Sequence, residues 1–410
     1  MTDNQDPVER MATARHEFGE HGGVNMSIEA STTFTVMEAD TLPALFQGEK
    51  GPNQGGCYLY GRHFNPTVYN LGQQLAALEG TDAGYCTASG MSAISSTLIQ
   101  LCQPGDEIIA AHSIYGGTFA LLNDLLPVKN HIKTHFVDIT DIKSVKAAIT
   151  PKTKVIYAET LSNPTLRVAP IPLLAKLAQQ HKLTLVIDNT FSPLIINPVS
   201  LGADIVLHSL TKFINGASDI IAGAICASQN FILDMMDLHQ GTLMLLGPTM
   251  DPEVAFRISM RLPHLPLRIK EHSQRARFIA NKLTENGIKV NYPGLPTHPD
   301  HQLFKEIANP EYGFGGILTL DLGTENKANE LMNCLQNEHQ FGYMAVSLGY
   351  FDTLMSCSGS STSSELSDND KQQAGISPGL IRLAIGYTGS AEQRWQQLYS
   401  ALKKINALKE

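Results

Sequence analysis

The sequence predicts an α/β protein with a mostly parallel central sheet and a smaller C-terminal α+β domain. Between residues 61 and 255, short apolar runs alternate with helical patterns, as strand–helix–strand units on a parallel sheet require. Two of these runs, Lys154-Val-Ile-Tyr157 and Leu183-Thr-Leu-Val-Ile187, are almost continuously apolar, as expected of strands covered on both faces. A chain of 410 residues is also too long for one ordinary core, so two or three domains are expected.

Residues 1–60 have weak periodicity and many Gly, Asn and Thr, which predicts an extended arm held only by packing on something else, such as another subunit. In the domain spanning 61–255 the expected strands are Glu107–His112, His135–Asp138, Val155–Glu159, Leu183–Asp188, Asp204–His208 and Ala222–Ala227. Helices such as Ile171–Gln180 lie between them. The segment 256–290 carries Arg, His and Lys at helical spacing and reads as one long connecting helix. It opens the domain 256–410, where Gly316–Leu322 and Leu380–Gly386 read as strands. The serine-rich, non-periodic run Ser356–Ser364 reads as a loop.

Composition narrows the function. At 43% hydrophobic and 17% charged residues the chain is globular, and a formal charge of -9 argues against a nucleic-acid partner. Six cysteines (57, 86, 102, 226, 334 and 357) include no C-x-x-C pair, which predicts reduced thiols rather than a disulfide frame or zinc site. His16-Glu17-Phe-Gly-Glu-His21 does not make a zinc helix, because its histidines are five apart and Gly19 intervenes. The first residues are polar and acidic, unlike a signal peptide, and no apolar run reaches the ~18 residues of a membrane span. The expectation is a soluble cytoplasmic protein with no metal, membrane or nucleic-acid partner.

The chemistry concentrates at strand ends. The run Ala203-Asp-Ile-Val-Leu207 ends in a short apolar segment and leads into His208-Ser-Leu-Thr-Lys212. A lysine there needs a path to solvent or a chemical task. Asp188 ends another apolar run, at the carboxyl end of a strand, where open α/β sheets place their ligands. Together they suggest bound pyridoxal phosphate, with Lys212 on the aldehyde, Ser209 and Thr211 on the phosphate and Asp188 on the ring nitrogen. Asp188 could instead only cap the following turn. Ser89-Gly90-Met91 opens a helix whose free N–H groups make an anion site, or simply a capped helix start. Tyr115, in Ile114-Tyr115-Gly116-Gly117, could stack on a flat ring or sit in an ordinary turn. Arg62, in Tyr60-Gly61-Arg62, offers a planar fork for phosphate, or is a surface arginine. Arg382 lies inside an apolar strand pattern and needs an anion, either a substrate carboxylate or a structural acid. Ser209-Leu-Thr-Lys212 also fits the S-x-x-K signature of serine acyl transferases, but the partner motifs of that chemistry are missing.

In this order, Tyr60-x-Arg62-x-x-Asn-Pro-Thr, Ser89-Gly90-Met91, Asp188-Asn-Thr and Ser209-x-Thr211-Lys212 resemble the Cys/Met-metabolism family of pyridoxal-phosphate enzymes. The resemblance spans about residues 16 to 400 and is closest to the methionine γ-lyases of plant type. It rests there on Phe18–Ala30, Leu245–Met250 and Leu354–Glu365. It implies a type I aminotransferase-like fold and a homotetramer of tight dimers. Tyr60 and Arg62 would reach the phosphate of a neighbouring subunit, and Gly90, Met91, Ser209 and Thr211 would hold it from their own. Tyr115 would stack on the ring, Asn163 would bond its phenolic oxygen, and Ser347 and Arg382 would hold the substrate's amino-acid end. The implied reaction is α,γ-elimination of methionine to methanethiol, 2-oxobutanoate and ammonia, with Lys212 moving protons and Tyr115 as acid. Alternatives in the family are cystathionine γ-synthase, cystathionine γ-lyase and homoserine-ester sulfhydrylase activities. The chain departs from the family at Gly117, where many bacterial methionine γ-lyases carry cysteine, and in the serine-rich loop after Ser347-Leu-Gly349.

Overall fold

Seven strands form the large sheet: β1 (Ala83–Thr87), β2 (Glu107–Ala111), β3 (Lys133–Val137), β4 (Thr153–Glu159), β5 (Thr184–Asp188), β6 (Ile205–Ser209) and β7 (Gly223–Ala227). Their order is β1-β7-β6-β5-β4-β2-β3, parallel from β3 to β6 and antiparallel only where β7 joins β6 and β1. Six of the seven coincide with the strands expected from sequence, with ends moved by a residue or two. The computed structural model describes residues 6–14, 19, 21–52, 58–358, 371 and 375–408. His16, Glu17, Phe18, Cys57 and residues 359–365 lie outside the described residues.

β1 is not among the expected strands. Its five residues, Ala-Gly-Tyr-Cys-Thr, are short and partly small, so they carry no clear apolar run. The helix Pro66–Glu79 explains the small residues. A Cβ on Gly72 would lie 2.3 Å from the carbonyl oxygen of Gly84, and a Cβ on Gly84 would lie 2.3 Å from that of Gly72. Helix and strand therefore touch backbone to backbone. The helix starts where Asn65 accepts from the N–H groups of Thr67 and Val68, and it ends on Gly80 at φ 81°.

The expected single helix over 256–290 is instead two helices, Pro252–Arg261 and Leu265–Glu285, joined by a 3-10 turn at Leu262–His264. Pro263 and Pro266 are the cause, since each lacks an N–H and crowds the preceding turn. Leu265 and Ile269 of the second helix pack with the large sheet, whereas Ala276, Ile279, Ala280 and Leu283 pack in a second core. That core lies against a five-stranded sheet of β8 (Val290–Asn291), β9 (Ile317–Asp321), β10 (Tyr343–Met344), β11 (Leu354–Cys357) and β12 (Leu380–Ala384). Its order is β10-β11-β12-β9-β8. The expected loop over Ser356–Ser364 is corrected at its start. Ser356 and Cys357 belong to β11, opposite Arg382 and Ile381, and Ser358 is fully buried.

The arm is not wholly extended. Pro7–Thr13 is a helix, and Arg10 donates to the carbonyls of Ala77 and Leu78 at 2.8 and 3.0 Å, pinning the arm to the end of helix Pro66–Glu79. Thr41–Phe46 is a second short helix. Most of the described residues between them are exposed, with Val24 83% and Met37 95% accessible. Cys86, Cys102, Cys226 and Cys334 are free and buried, in keeping with the expected reduced thiols, and Cys357 is buried too.

Replacing Gly72 with alanine forces a methyl into the Gly84 backbone. Destabilisation of about 1–3 kcal/mol is expected, measured as a fall in the urea midpoint with unchanged slope.

Candidate active site

The parallel register of β4, β5 and β6 brings three chemical groups to one edge. Glu159 pairs with Asp188, and Asp188 with Leu207, so Ser209 emerges two residues beyond. Lys212 follows in the turn after β6, its N–H bonded to the carbonyl of Ser209 at 3.2 Å. These residues line a cavity of about 280 Å³ together with Ser89, Gly90, Met91, Tyr115, Asn163, Thr211 and Arg382.

Lys212 Nζ donates to Ser347 Oγ at 3.0 Å. Burial, with the nearby Arg382 charge, lowers its pKa to about 8. Arg382 is 2% exposed in the middle of β12. It donates from Nη1 to Asn163 Oδ1 and from Nη2 to the Ser347 carbonyl, each at 3.0 Å, while Nε has no partner. Both acceptors are neutral, so no acid supplies the anion expected for Arg382 among the described residues. Burial lowers the guanidinium pKa to about 10.

Asp188 accepts from the Thr190 N–H at 2.9 Å and from the Tyr157 hydroxyl at 3.4 Å. It does cap the following turn, and it also lines the cavity. Burial raises its pKa. Its neighbour Glu159 is pushed up to about 8, first by burial and then by the Asp188 charge. A cation brought beside this carboxylate pair would relieve both effects.

Ser89 caps helix Gly90–Leu101, accepting from the Ser92 N–H while Ser92 Oγ accepts from the Ser89 N–H, each at 3.0 Å. Gly90 is packed on the lysine turn, where a Cβ would stand 2.7 Å from Ser209 Cβ. The Thr211 hydroxyl accepts from the Ala222 N–H at 3.0 Å and donates to its carbonyl at 3.3 Å, tying the turn to the start of β7. Tyr115 precedes helix Gly116–Ala120 and is 44% exposed. A Cβ on Gly117 would lie 2.7 Å from the Tyr115 ring and 3.3 Å from Met91 Sδ, so this glycine leaves room for both.

Ten of the twelve expected site residues are thus brought together: Gly90, Met91, Tyr115, Asn163, Asp188, Ser209, Thr211, Lys212, Ser347 and Arg382. Tyr60 and Arg62 are not. They line no part of this cavity; the Arg62 guanidinium lies 5.3 Å from the Tyr60 ring centroid, and Tyr60 is 42% exposed. Sequence reasoning missed Glu159, although it ends a strand in a carboxylate just as Asp188 does. It also missed the support beneath the site, where His208 Nε2 meets Glu79 Oε1 at 2.7 Å and Asn189 donates to the same oxygen at 3.2 Å. Both His208 and Glu79 are 1% exposed, and they meet only because helix Pro66–Glu79 ends under β6.

Residues 10–394 match the Cys/Met metabolism PLP-dependent enzymes. The chain is 58% identical to methionine gamma-lyase of Arabidopsis thaliana over 98% of its own length and 91% of the relative's. It is 36% identical to L-methionine gamma-lyase of Pseudomonas putida, covering 90% of each. Among solved structures, cystathionine gamma synthase of Xanthomonas oryzae pv. oryzae with aminoacrylate and cysteine superposes with a TM-score of 0.86 at 31% identity, over 99% and 100% of the two chains. A Campylobacter jejuni protein described as a putative O-acetylhomoserine (thiol)-lyase, which contains N'-pyridoxyl-lysine-5'-monophosphate, gives 0.87 at 29% identity, over 96% and 99%.

With its pKa near 8 rather than the usual 10.5, about a tenth of the Lys212 amine is neutral at pH 7, against less than about a thousandth for a free lysine. Trace acetylation of cofactor-free protein, read by mass spectrometry of the Lys212 peptide, should rise with pH through a midpoint near 8.

Proposed function

Starting from its membership of the Cys/Met metabolism PLP-dependent enzymes, we propose that this chain is a carbon–sulfur lyase acting on methionine by α,γ-elimination. The observation that carries the reading is the cavity itself, lined by Lys212 and by an acid pair with no salt bridge among the described residues. Those residues fit pyridoxal phosphate, because a protonated pyridine nitrogen supplies the cation that Asp188 lacks.

Lys212 Nζ would hold the cofactor by its aldehyde and, when free, would take the proton from the substrate's α-carbon. The bound cofactor supplies the sink for the electrons left behind. Asp188 keeps the ring nitrogen protonated. Ser209, Thr211 and the helix start at Gly90 and Met91 hold the phosphate, where N–H groups and the helix dipole favour an anion. Tyr115 would lie against the ring and would supply the proton to the departing sulfur. Asn163 would bond the phenolic oxygen, and Arg382 with Ser347 would hold the substrate carboxylate, the anion a buried guanidinium with only neutral partners calls for. With one water consumed, methionine leaves as methanethiol, 2-oxobutanoate and ammonia.

Tyr60 and Arg62 stand outside their own chain's cavity, on a stretch that joins the exposed arm. They serve the phosphate of a second subunit, within a homotetramer of dimers that works in the cytoplasm. No described helix is long and apolar enough to cross a membrane.

Purified protein given methionine alone should release methanethiol and 2-oxobutanoate, and Lys212→Ala should lower turnover by about 10²–10⁴-fold or more. No release from methionine, with turnover of an activated homoserine plus a thiol, would replace this reading with γ-replacement. Shared sites have their own check. Arg62→Ala and Lys212→Ala subunits, each inactive alone, should regain about a quarter of native activity when unfolded, mixed and reassembled, since only mixed dimers hold one intact site. Absence of recovery would place Arg62 in its own subunit's chemistry.

A further inference from the structure

Glu159 has no part in any of the roles above, yet it is buried at the cavity edge. One carboxylate oxygen, Oε1, accepts the Tyr115 N–H at 2.7 Å. The other, Oε2, accepts the Asn163 N–H at 3.1 Å. These two N–H groups belong to different segments, the loop after β2 and the loop after β4. Asn163 then accepts from Arg382 on β12, in the other sheet. A single side chain thereby links the loop bearing the aromatic ring to the residues that face the substrate carboxylate.

A carboxylate is the group suited to this task. Both of its oxygens accept, and in the ionised form, which burial disfavours, such bonds are about twice as strong as neutral ones. An isosteric amide has one acceptor and would turn N–H groups toward the other donor. Aspartate keeps the charge but is one methylene short of both loops. Buried beside Asp188, the carboxylate is costly to keep charged, which argues against its presence as mere filling.

We propose that Glu159 is a positioning residue: its carboxylate clamps the backbone of Tyr115 to that of Asn163, so that the ring-covering tyrosine and the Asn163–Arg382 anchor hold one fixed separation. The inference rests on the pyridoxal phosphate reading, in which those groups address two ends of one substrate complex. Glu159 acts through them, by way of their backbone N–H groups.

The test compares holoenzyme with Glu159→Gln, Glu159→Asp and Tyr115→Phe by visible circular dichroism of the bound cofactor, steady-state kinetics and melting temperature. Both Glu159 variants should retain cofactor while the dichroic band, which reports ring orientation, falls at least about twofold. Their kcat/KM should fall about 10–100-fold, the scale of a reacting group displaced by up to an ångström. Added to Tyr115→Phe, Glu159→Gln should cost less than about threefold more, because both act through one ring. Glu159→Asp keeps the test open if the amide variant does not fold, since it retains the charge beside Asp188. A native band and native kinetics in either folded variant would overturn the clamp, as would full multiplication of the two single effects. A wild-type protein lacking any cofactor band would instead sink the cofactor reading, and this inference with it.

Discussion

Two carboxylates at the ends of neighbouring parallel strands are the constraint around which the site is organised. Glu159 and Asp188 are register partners, both buried; burial makes each harder to ionise, and the Asp188 charge adds to this at Glu159. Backbone N–H groups meet part of that cost, two at Glu159 and one at Asp188. The rest calls for positive charge in the cavity. Lys212 and Arg382 border the same space, and burial lowers the pKa of each. Acids and bases whose ordinary charges are both disfavoured are what a site for a charged, planar ligand looks like before its ligand is considered.

The geometry holds because the layer beneath it is unusually close. Helix Pro66–Glu79 lies on β1 with glycine facing glycine, which lets its last residue, Glu79, reach His208 and Asn189. These two residues neighbour Ser209 and Asp188 in the chain. A buried histidine–carboxylate contact of this kind is weak evidence for stability, since desolvation offsets much of its attraction. Its effect is to fix the two strand ends that carry site residues relative to each other and to the helix. The small residues at Gly90 and Gly223 extend the same logic above the sheet. Side chains there would strike Ser209 and the Ser89 carbonyl, separating the helix start from the lysine turn.

The legibility of the site follows from its location. Strand ends in a parallel sheet are easy to see, because an apolar run stops at a polar residue, and Asp188, Ser209 and Lys212 announce themselves this way. Glu159 carries the same signal without standing out, since nothing in the sequence says that β4 lies beside β5. The strand β1 is hidden for another reason: its glycine serves contact with a helix, not strand formation. The helix break at Pro263 and Pro266 is readable, but the Arg, His and Lys periodicity on either side masks it. Ser356 and Cys357 share a serine-rich composition with the run that follows and are drawn into β11 by pairing with β12.

The sequence by itself determined the α/β class, six strands of the large sheet, the order of the motifs and the residues most able to do chemistry. These depend on local periodicity and on residue types whose burial needs a reason. Only the tertiary structure decided which groups meet. It set Asp188 against Glu159 through strand order, gave Arg382 neutral partners, joined Lys212 to Ser347 across 135 positions and left Tyr60 and Arg62 outside the cavity. Contacts of that kind arise from sheet order and helix packing, which are properties of the whole chain, and no local pattern encodes them.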